Sequence, residues 1–128
     1  MKELELKGLS EQDTARIGEK LGEGLFPGAF IALYGGLGAG KTTLTRSIAA
    51  ALGIRGILSP TFTIVREYAG RIPLFHFDAY RLGDADELYA IGFDEYMARG
   101  GAIIMEWCEN VEDAPVSYTH LTLPTIRL

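Results

Sequence analysis

Apolar and polar positions along the chain switch between strand-like and helical periods, and this pattern predicts an α/β protein. Unbroken apolar runs at 30–34 and 102–105 predict two buried parallel strands. The β-rich segments 63–68 and 72–77, separated by a short loop with a glycine, predict a hairpin. Residues 2–7 alternate between charged and apolar side chains, so we expect a half-buried strand at a sheet edge.

Helical periods and boundary signals occupy the segments between these strands. We expect Ser10 to be the N-cap of a first helix, which Phe26-Pro27-Gly28 ends. Gly53 closes a second helix, as glycine commonly does just after a helix terminus. The predicted helices span residues 11–25, 43–52, 84–90 and 93–98, and the last two are acidic.

Composition narrows the class of protein. The 128 residues are enough for one domain, and the 48% hydrophobic content excludes a disordered chain. A net charge of -5 argues against broad, unaided nucleic-acid binding, although a local basic patch stays open. The single cysteine, Cys108, forms no internal disulfide, and there is neither a signal peptide nor an apolar run near 18 residues. We therefore expect a cytoplasmic protein.

A complete phosphate-binding loop lies between the first buried strand and the second helix. Its sequence is Gly35-Gly36-Leu37-Gly38-Ala39-Gly40-Lys41-Thr42, which fits the pattern G-x-x-x-x-G-K-[ST]. The glycines let backbone N–H groups point at phosphate oxygens, and the following helix N-terminus adds partial positive charge. Lys41 is placed to reach the β- and γ-phosphates and Thr42 to bind Mg²⁺, with Thr43 beside them. The sequence therefore predicts an ATP and Mg²⁺ site in a P-loop NTPase-like, three-layer α/β fold with a mixed central sheet.

Two acidic residues end predicted strands, and both are candidates for the metal and water roles. Asp78 follows Phe75-His76-Phe77, and Glu106 follows the buried run 102–105. An acid at a strand end fits a Mg²⁺ ligand or a group that orients water, although Asp78 also fits a helix cap. Spacing alone does not rank the two acids. We expect His76, on the same strand face as Asp78, to be a packing residue rather than a catalytic one.

Two further segments carry alternatives that the residues leave open. Ser59-Pro60-Thr61-Phe62 follows the phosphate-loop helix, where Thr61 suits a switch that senses the γ-phosphate and Mg²⁺. The same residues also suit an ordinary turn. Trp107, directly after Glu106, could stack on a nucleotide base or simply pack.

Taken together, these motifs resemble the TsaE (YjeE) family over about residues 1–115. The phosphate loop alone is generic. The specific set is Ser59-Pro60-Thr61-Phe62, then the run from His76 to Leu82, then Glu106-Trp107, in this order and at these spacings. The resemblance implies a P-loop fold with a mixed sheet, binding of ATP and Mg²⁺, and slow ATP hydrolysis.

The resemblance also implies partners and residue roles. Such ATPases act on a TsaB–TsaD pair, which places the N6-threonylcarbamoyl group on an adenosine of tRNAs that read ANN codons. Contact with tRNA is then indirect, through the complex, and no membrane is involved. By motif, Lys41 and Thr42 bind phosphate and Mg²⁺, Asp78 and Glu106 are the metal and water acids, Thr61 belongs to a switch-like loop, and Trp107 lies near the nucleotide.

The C-terminal segment departs from the family. Residues 116–128 resemble the translation of a transposon adapter used in sequencing libraries, and no Asp, Glu, Lys or Arg occurs from Ala114 to Ile126. We expect an incomplete P-loop ATPase domain over 1–115 with a non-native tail over 116–128, and therefore a sheet that lacks strands. A genuine strand is the alternative, because Val, Tyr and Thr are good strand formers. The coding DNA distinguishes the two.

Three functions fit the motifs, and an ATPase that serves a tRNA-modifying complex leads them. The second is a small-molecule P-loop kinase, but the chain offers no obvious arginine-bearing lid between the phosphate loop and Glu106. The third is a nucleotide-dependent binding module without hydrolysis, for which the acidic segment 84–95 would be a docking face.

Overall fold

A computed structural model describes residues 3–5, 10–34, 39–57, 65–79, 82–106 and 125–127. Within them the chain forms a single sheet with helices on both faces. The elements in chain order are β1 (Glu3–Glu5), α1 (Glu11–Glu23), β2 (Phe30–Tyr34), α2 (Ala39–Ala51), β3 (Val65–Tyr68), β4 (Leu74–Asp78), α3 (Ala85–Ala90), α4 (Phe93–Ala98), β5 (Ala102–Glu106) and β6 (Thr125–Arg127).

The strands of the sheet are ordered β1-β6-β2-β5-β4-β3. All neighbouring pairs are parallel except β3 and β4, which form the predicted antiparallel hairpin with Val65 opposite Phe77 and Tyr68 opposite Leu74. The mixed sheet, the hairpin and the edge position of the first strand are therefore confirmed. Because β2, β5 and β4 are parallel neighbours, their carboxyl ends meet at one edge of the sheet.

The last strand, β6, lies inside the sheet between β1 and β2. Ile126 pairs with Leu4 on one side and with Leu33 on the other. Residues 107–124 and 128 lie outside the described part of the chain. The origin of the tail stays a prediction, and codons unrelated to the adapter would contradict it.

One face of the sheet is covered by α1 and α2 around an aliphatic core. Ser10 caps α1 as predicted, since its hydroxyl accepts a hydrogen bond from the Asp13 N–H at 3.1 Å. The helix ends at Glu23, before the expected Phe26-Pro27-Gly28. The N–H of Gly24 donates to the carbonyls of Lys20 and Leu21 and so closes the last turn of the helix. The buried residues of this face are Leu25, Ala29, Ile31, Leu33, Leu44, Ile48, Ala49, Leu52, Ile54, Leu74, Ala102 and Ile104.

Two glycines bring α1 unusually close to α2. A Cβ atom built on Gly22 would lie 2.5 Å from the Ile48 carbonyl oxygen and 2.6 Å from the Ala51 Cβ. One built on Gly18 would lie 2.6 Å from the Ser47 Cβ. Only a residue without a side chain fits at these two positions. The close approach fixes α2 against α1 and so fixes the position of the α2 N-terminus.

The opposite face is covered by the short helices α3 and α4 around an aromatic core. The Asp84 side chain caps α3 by accepting a hydrogen bond from the Glu87 N–H at 3.0 Å. Phe93, the first residue of α4, is fully buried, and its ring packs edge-to-face on Phe30 and Phe77 with centroids 6.2 and 5.6 Å apart. Both short helices occur where the sequence predicts them. Buried aromatic packing holds six-residue helices that would not form in isolation.

At the amino ends of the strands, backbone hydrogen bonds join three separate loops. The Gly28 N–H donates to the Gly101 carbonyl and the Ala102 N–H to the Pro73 carbonyl, both at 2.8 Å. Arg71 adds two bonds nearby: its guanidinium donates to the Gly22 carbonyl at 3.1 Å and its N–H to the Leu52 carbonyl at 2.8 Å. The hairpin loop is thereby tied to the C-terminal ends of both long helices.

Candidate functional site

Two carboxylates lie side by side at the carboxyl edge of the sheet. Asp78 ends β4 and Glu106 ends β5, and the two residues are partners in the parallel register. Leu33, near the end of β2, pairs with Glu106 on its other side. Both acids are half-buried. Alternation along the strands places them on the same face as Leu74 and Ile104, which is the face covered by α2.

Glu106 is held at both its backbone and its side chain. Its carbonyl accepts a hydrogen bond from the Ala79 N–H at 3.0 Å. Its carboxylate Oε2 lies 2.5 Å from Nε2 of His76. Glu106 is 19% exposed, whereas His76 is only 3% exposed. The carboxylate therefore has access to solvent on one side and a buried imidazole on the other.

The first turn of α2 presents a buried cation toward this face. The predicted strand ends at Tyr34, and the helix begins at Ala39, four residues before its predicted start at residue 43. Residues 35–38 between them lie outside the described part of the chain. Lys41 is only 4% exposed, which is uncommon for a lysine. Thr42 is exposed and Thr43 half-buried. Lys41 thus lies on the sheet-facing side of the helix, and Thr42 lies on its open side.

One turn further along α2, a polar residue that the sequence analysis missed is also buried. Thr45 is 1% exposed, and its hydroxyl has no hydrogen-bond partner within the described residues. Its spacing of four from Lys41 places it on the same helix face. That spacing is the signal that would have identified it.

Several predicted site residues lie outside the described part of the chain. They are Gly35, Gly36, Leu37 and Gly38 of the phosphate loop, Thr61 of the Ser-Pro-Thr-Phe segment, and Trp107. Ala39 and Gly40 are placed by their backbone in the first turn of α2. The structure thus brings together Asp78 and Glu106, and the roles of all these residues stay predictions.

The described residues also limit other kinds of site. They contain no group of three or more His, Cys, Asp or Glu side chains arranged to hold a metal ion. No helix among them is long and apolar enough to cross a membrane. The paired carboxylates of Asp78 and Glu106 lie at the edge where α/β sheets commonly bind ligands.

A mixed, mostly parallel sheet, a glycine-rich motif in the sequence between β2 and α2, and acids at the ends of two neighbouring strands are consistent with the P-loop NTPase-like class of α/β proteins. The sequence model of the TsaE family, described as threonylcarbamoyl adenosine biosynthesis protein TsaE, matches residues 9–127. The chain belongs to the TsaE family, and its role lies in the biosynthesis of threonylcarbamoyladenosine in tRNA.

Individual relatives agree with the family match. The tRNA threonylcarbamoyladenosine biosynthesis protein TsaE of Treponema pallidum is 41% identical over 111 residues, which are 86% of this chain and 82% of the relative. The protein of the same name from Bacillus subtilis is 41% identical over 115 residues, covering 88% and 72%. The crystal structure of Bacillus subtilis YdiB superposes with a TM-score of 0.70 at 36% identity. That superposition covers 84% of this chain and 66% of the YdiB chain.

Proposed function

We propose that this chain binds ATP with Mg²⁺ and hydrolyses it, as the nucleotide-dependent subunit of the machinery that makes threonylcarbamoyladenosine in tRNA. In this proposal it acts on a TsaB–TsaD pair in the cytoplasm. One observation carries the proposal: Asp78 and Glu106 are adjacent at the carboxyl edge of the sheet, on the face where α2 buries Lys41. Family membership supports the pathway, and the phosphate-loop motif supports the ligand.

The available donors fit Mg²⁺ held together with a nucleotide. In such sites the ion keeps several waters and uses one or two carboxylates with the substrate phosphates, rather than a cage of protein ligands. Asp78 and Glu106 provide carboxylates, and Thr42 provides an exposed hydroxyl. When bound, Mg²⁺ withdraws negative charge from the phosphate oxygens.

Lys41 and the start of α2 are suited to bind the phosphates. The aligned peptide dipoles of a helix place partial positive charge at its N-terminus, where backbone N–H groups are free to bind an anion. Lys41 adds a full positive charge on the sheet-facing side of that turn. Both charges oppose the negative charge that develops as the γ-phosphate is transferred.

The carboxylates would then act on the attacking water. In the proposed reaction a water oxygen forms a bond to the γ-phosphorus in line with the bond to the leaving oxygen, which breaks to release ADP. We assign Glu106 to orient this water and accept its proton. Asp78, adjacent in the sheet, is assigned to the metal-bound waters.

The test is phosphate release from ATP by the purified chain, alone and with a TsaB–TsaD pair and substrate tRNA. We expect slow turnover that rises with the partners. Lys41→Ala should abolish ATP binding and turnover, because it removes the main side-chain cation of the site. Arg46→Ala is the matched control, since it removes an exposed cation from the same helix.

Each contrary result has a definite meaning. Unchanged ATP affinity and turnover in Lys41→Ala would contradict the site. ATP binding without turnover, even with the partners, would identify a nucleotide-dependent binding module. If the partners do not change the turnover, the chain is an ATPase that does not act in tRNA modification through the TsaB–TsaD complex.

A further inference from the structure

We propose that His76 is a positioning residue for Glu106, holding one carboxylate oxygen so that the other is directed at the attacking water. The inference rests on the proposed ATPase function and extends it to a side chain that the motif does not assign. It starts from the 2.5 Å separation between His76 Nε2 and Glu106 Oε2.

The contact depends on the register of two neighbouring strands. His76 pairs with Ile104, and Asp78 pairs with Glu106. His76 therefore lies on the same face of the sheet as Glu106, two residues before the position that pairs with Glu106. The imidazole therefore contacts the carboxylate diagonally across the two strands, from the side of the buried interior. An ionised carboxylate only accepts hydrogen bonds, so Nε2 is the donor and carries the proton.

Burial makes the imidazole a fixed support rather than a mobile one. His76 is 3% exposed and is flanked along β4 by Phe75 and Phe77, which are buried on the other face. Its second ring nitrogen, Nδ1, has no hydrogen-bond partner within the described residues. Among those residues Glu106 thus makes the only hydrogen bond of the ring, and no other bond competes for its orientation.

The carboxylate gains a defined orientation from this contact. A glutamate side chain has three rotatable bonds. At 19% exposure, a Glu106 side chain that contacted only solvent would let Oε1 and Oε2 interchange by rotation of the carboxylate. With Oε2 held by the buried ring, Oε1 is left to accept a hydrogen bond from water at the edge of the sheet. Groups that orient a reacting side chain in this way commonly matter 10- to 100-fold, as the partners of metal ligands do.

The first experiment compares His76→Leu with His76→Gln by ATP turnover. Leucine fills the buried space without a donor, whereas the glutamine amide can place an N–H near the position of Nε2. We expect His76→Leu to lower kcat about 10- to 100-fold while the KM for ATP changes less than about threefold. His76→Gln should recover most of the loss. Equal kcat in the wild type and His76→Leu, or an equal loss in both variants, would overturn the proposal.

A double-mutant cycle ties the effect to Glu106. In a Glu106→Ala background, His76→Leu should cause no further loss of turnover, because the group that it positions is already absent. A further loss equal to that in the wild-type background would overturn the proposal, since His76 would then act independently of Glu106. Urea unfolding of each variant checks that folding is intact.

A spectroscopic readout tests the contact without any turnover. In protein with ¹⁵N-labelled histidine, the Nε2–H of His76 should give a slowly exchanging, hydrogen-bonded proton signal that changes in Glu106→Ala. His120 serves as the internal reference. If the His76 signal is the same in the wild type and in Glu106→Ala, the proposed contact between the two side chains does not exist. A wild-type chain without ATPase activity would instead overturn the proposed function, and the signal would still decide whether the contact exists.

Discussion

Asp78 and Glu106 are neighbours in the sheet, where each ends a strand at the carboxyl edge. The Glu106 carboxylate is held by a buried histidine, and its carbonyl is bonded to the Ala79 N–H. Spacing along the sequence treats the two acids as equivalent strand-end residues. The contact with His76 is the reason for assigning Glu106 to the water in the proposed reaction, and Asp78 is then assigned to the metal.

This division predicts different kinetic defects for the two alanine variants. Glu106→Ala should keep its ATP affinity and lose turnover about 100-fold or more, because proton transfer to a positioned base contributes at least that much. Asp78→Ala should raise the Mg²⁺ concentration that gives half-maximal turnover. Equilibrium binding of ATP and single-turnover hydrolysis across a Mg²⁺ titration measure both effects. The reverse pattern would exchange the two assignments.

The contact between His76 and Glu106 shows where sequence reasoning reaches its limit at this scale. The sequence analysis singled out both residues and predicted that His76 packs in the interior. The burial of His76 agrees with that prediction. The two are 30 positions apart, however, and meet only because β4 and β5 are neighbours with Asp78 opposite Glu106. No local pattern states which strands are adjacent or in which register they pair.

At the scale of helices and strands, local signals predicted most of what forms. Ser10 caps its helix, Gly53 adopts the positive φ of 81° expected after a helix end, and the hairpin pairs as predicted. These features depend on a few consecutive residues. The close packing of α1 on α2 was not predicted, because Gly18 and Gly22 are required only by their contact with the partner helix, which the local sequence does not identify.

That packing predicts a stability difference between two glycine variants only two residues apart. Gly22→Ala should lower the free energy of unfolding by about 1–3 kcal/mol, because the added methyl group overlaps the Ile48 carbonyl and Ala51. Gly24→Ala is the control: its Cβ would meet nothing closer than 3.7 Å, and its φ of −89° suits alanine. Urea unfolding measures both. Equal stabilities of the two variants would show that the helices can separate without cost.

At the scale of the whole molecule, the sequence indicated a mixed sheet between helical layers but not the order of its strands. β5 lies between β2 and β4, although it comes last of the three in the chain. This arrangement brings Glu106 beside both Leu33 and Asp78. Strand order is decided by packing on both faces of the sheet, which no single segment encodes.

A ligand at this edge contacts several elements at once, so it should stabilise the molecule as a unit. A non-hydrolysable ATP analogue with Mg²⁺, at about 100 times its dissociation constant, should raise the free energy of unfolding by about 2.7 kcal/mol. Lys41→Ala should lose this increment and Gly24→Ala should keep it. Urea unfolding with and without the analogue measures the effect. The same stability in both conditions would count against nucleotide binding by the wild-type chain.

The bonded loops at the amino ends of the strands lie at the opposite end of the sheet from the carboxylates. Gly28 and Gly101 are joined there, as are Pro73 and Ala102. A dye or surface tether could be attached at this end: the exposed Ala98 is remote from the carboxyl edge where Asp78 and Glu106 lie. Thiol chemistry could introduce it once Cys108, the only cysteine in the sequence, is replaced. Single molecules could then be immobilised at the amino ends of the strands, and their behaviour could be observed with the carboxyl edge left accessible.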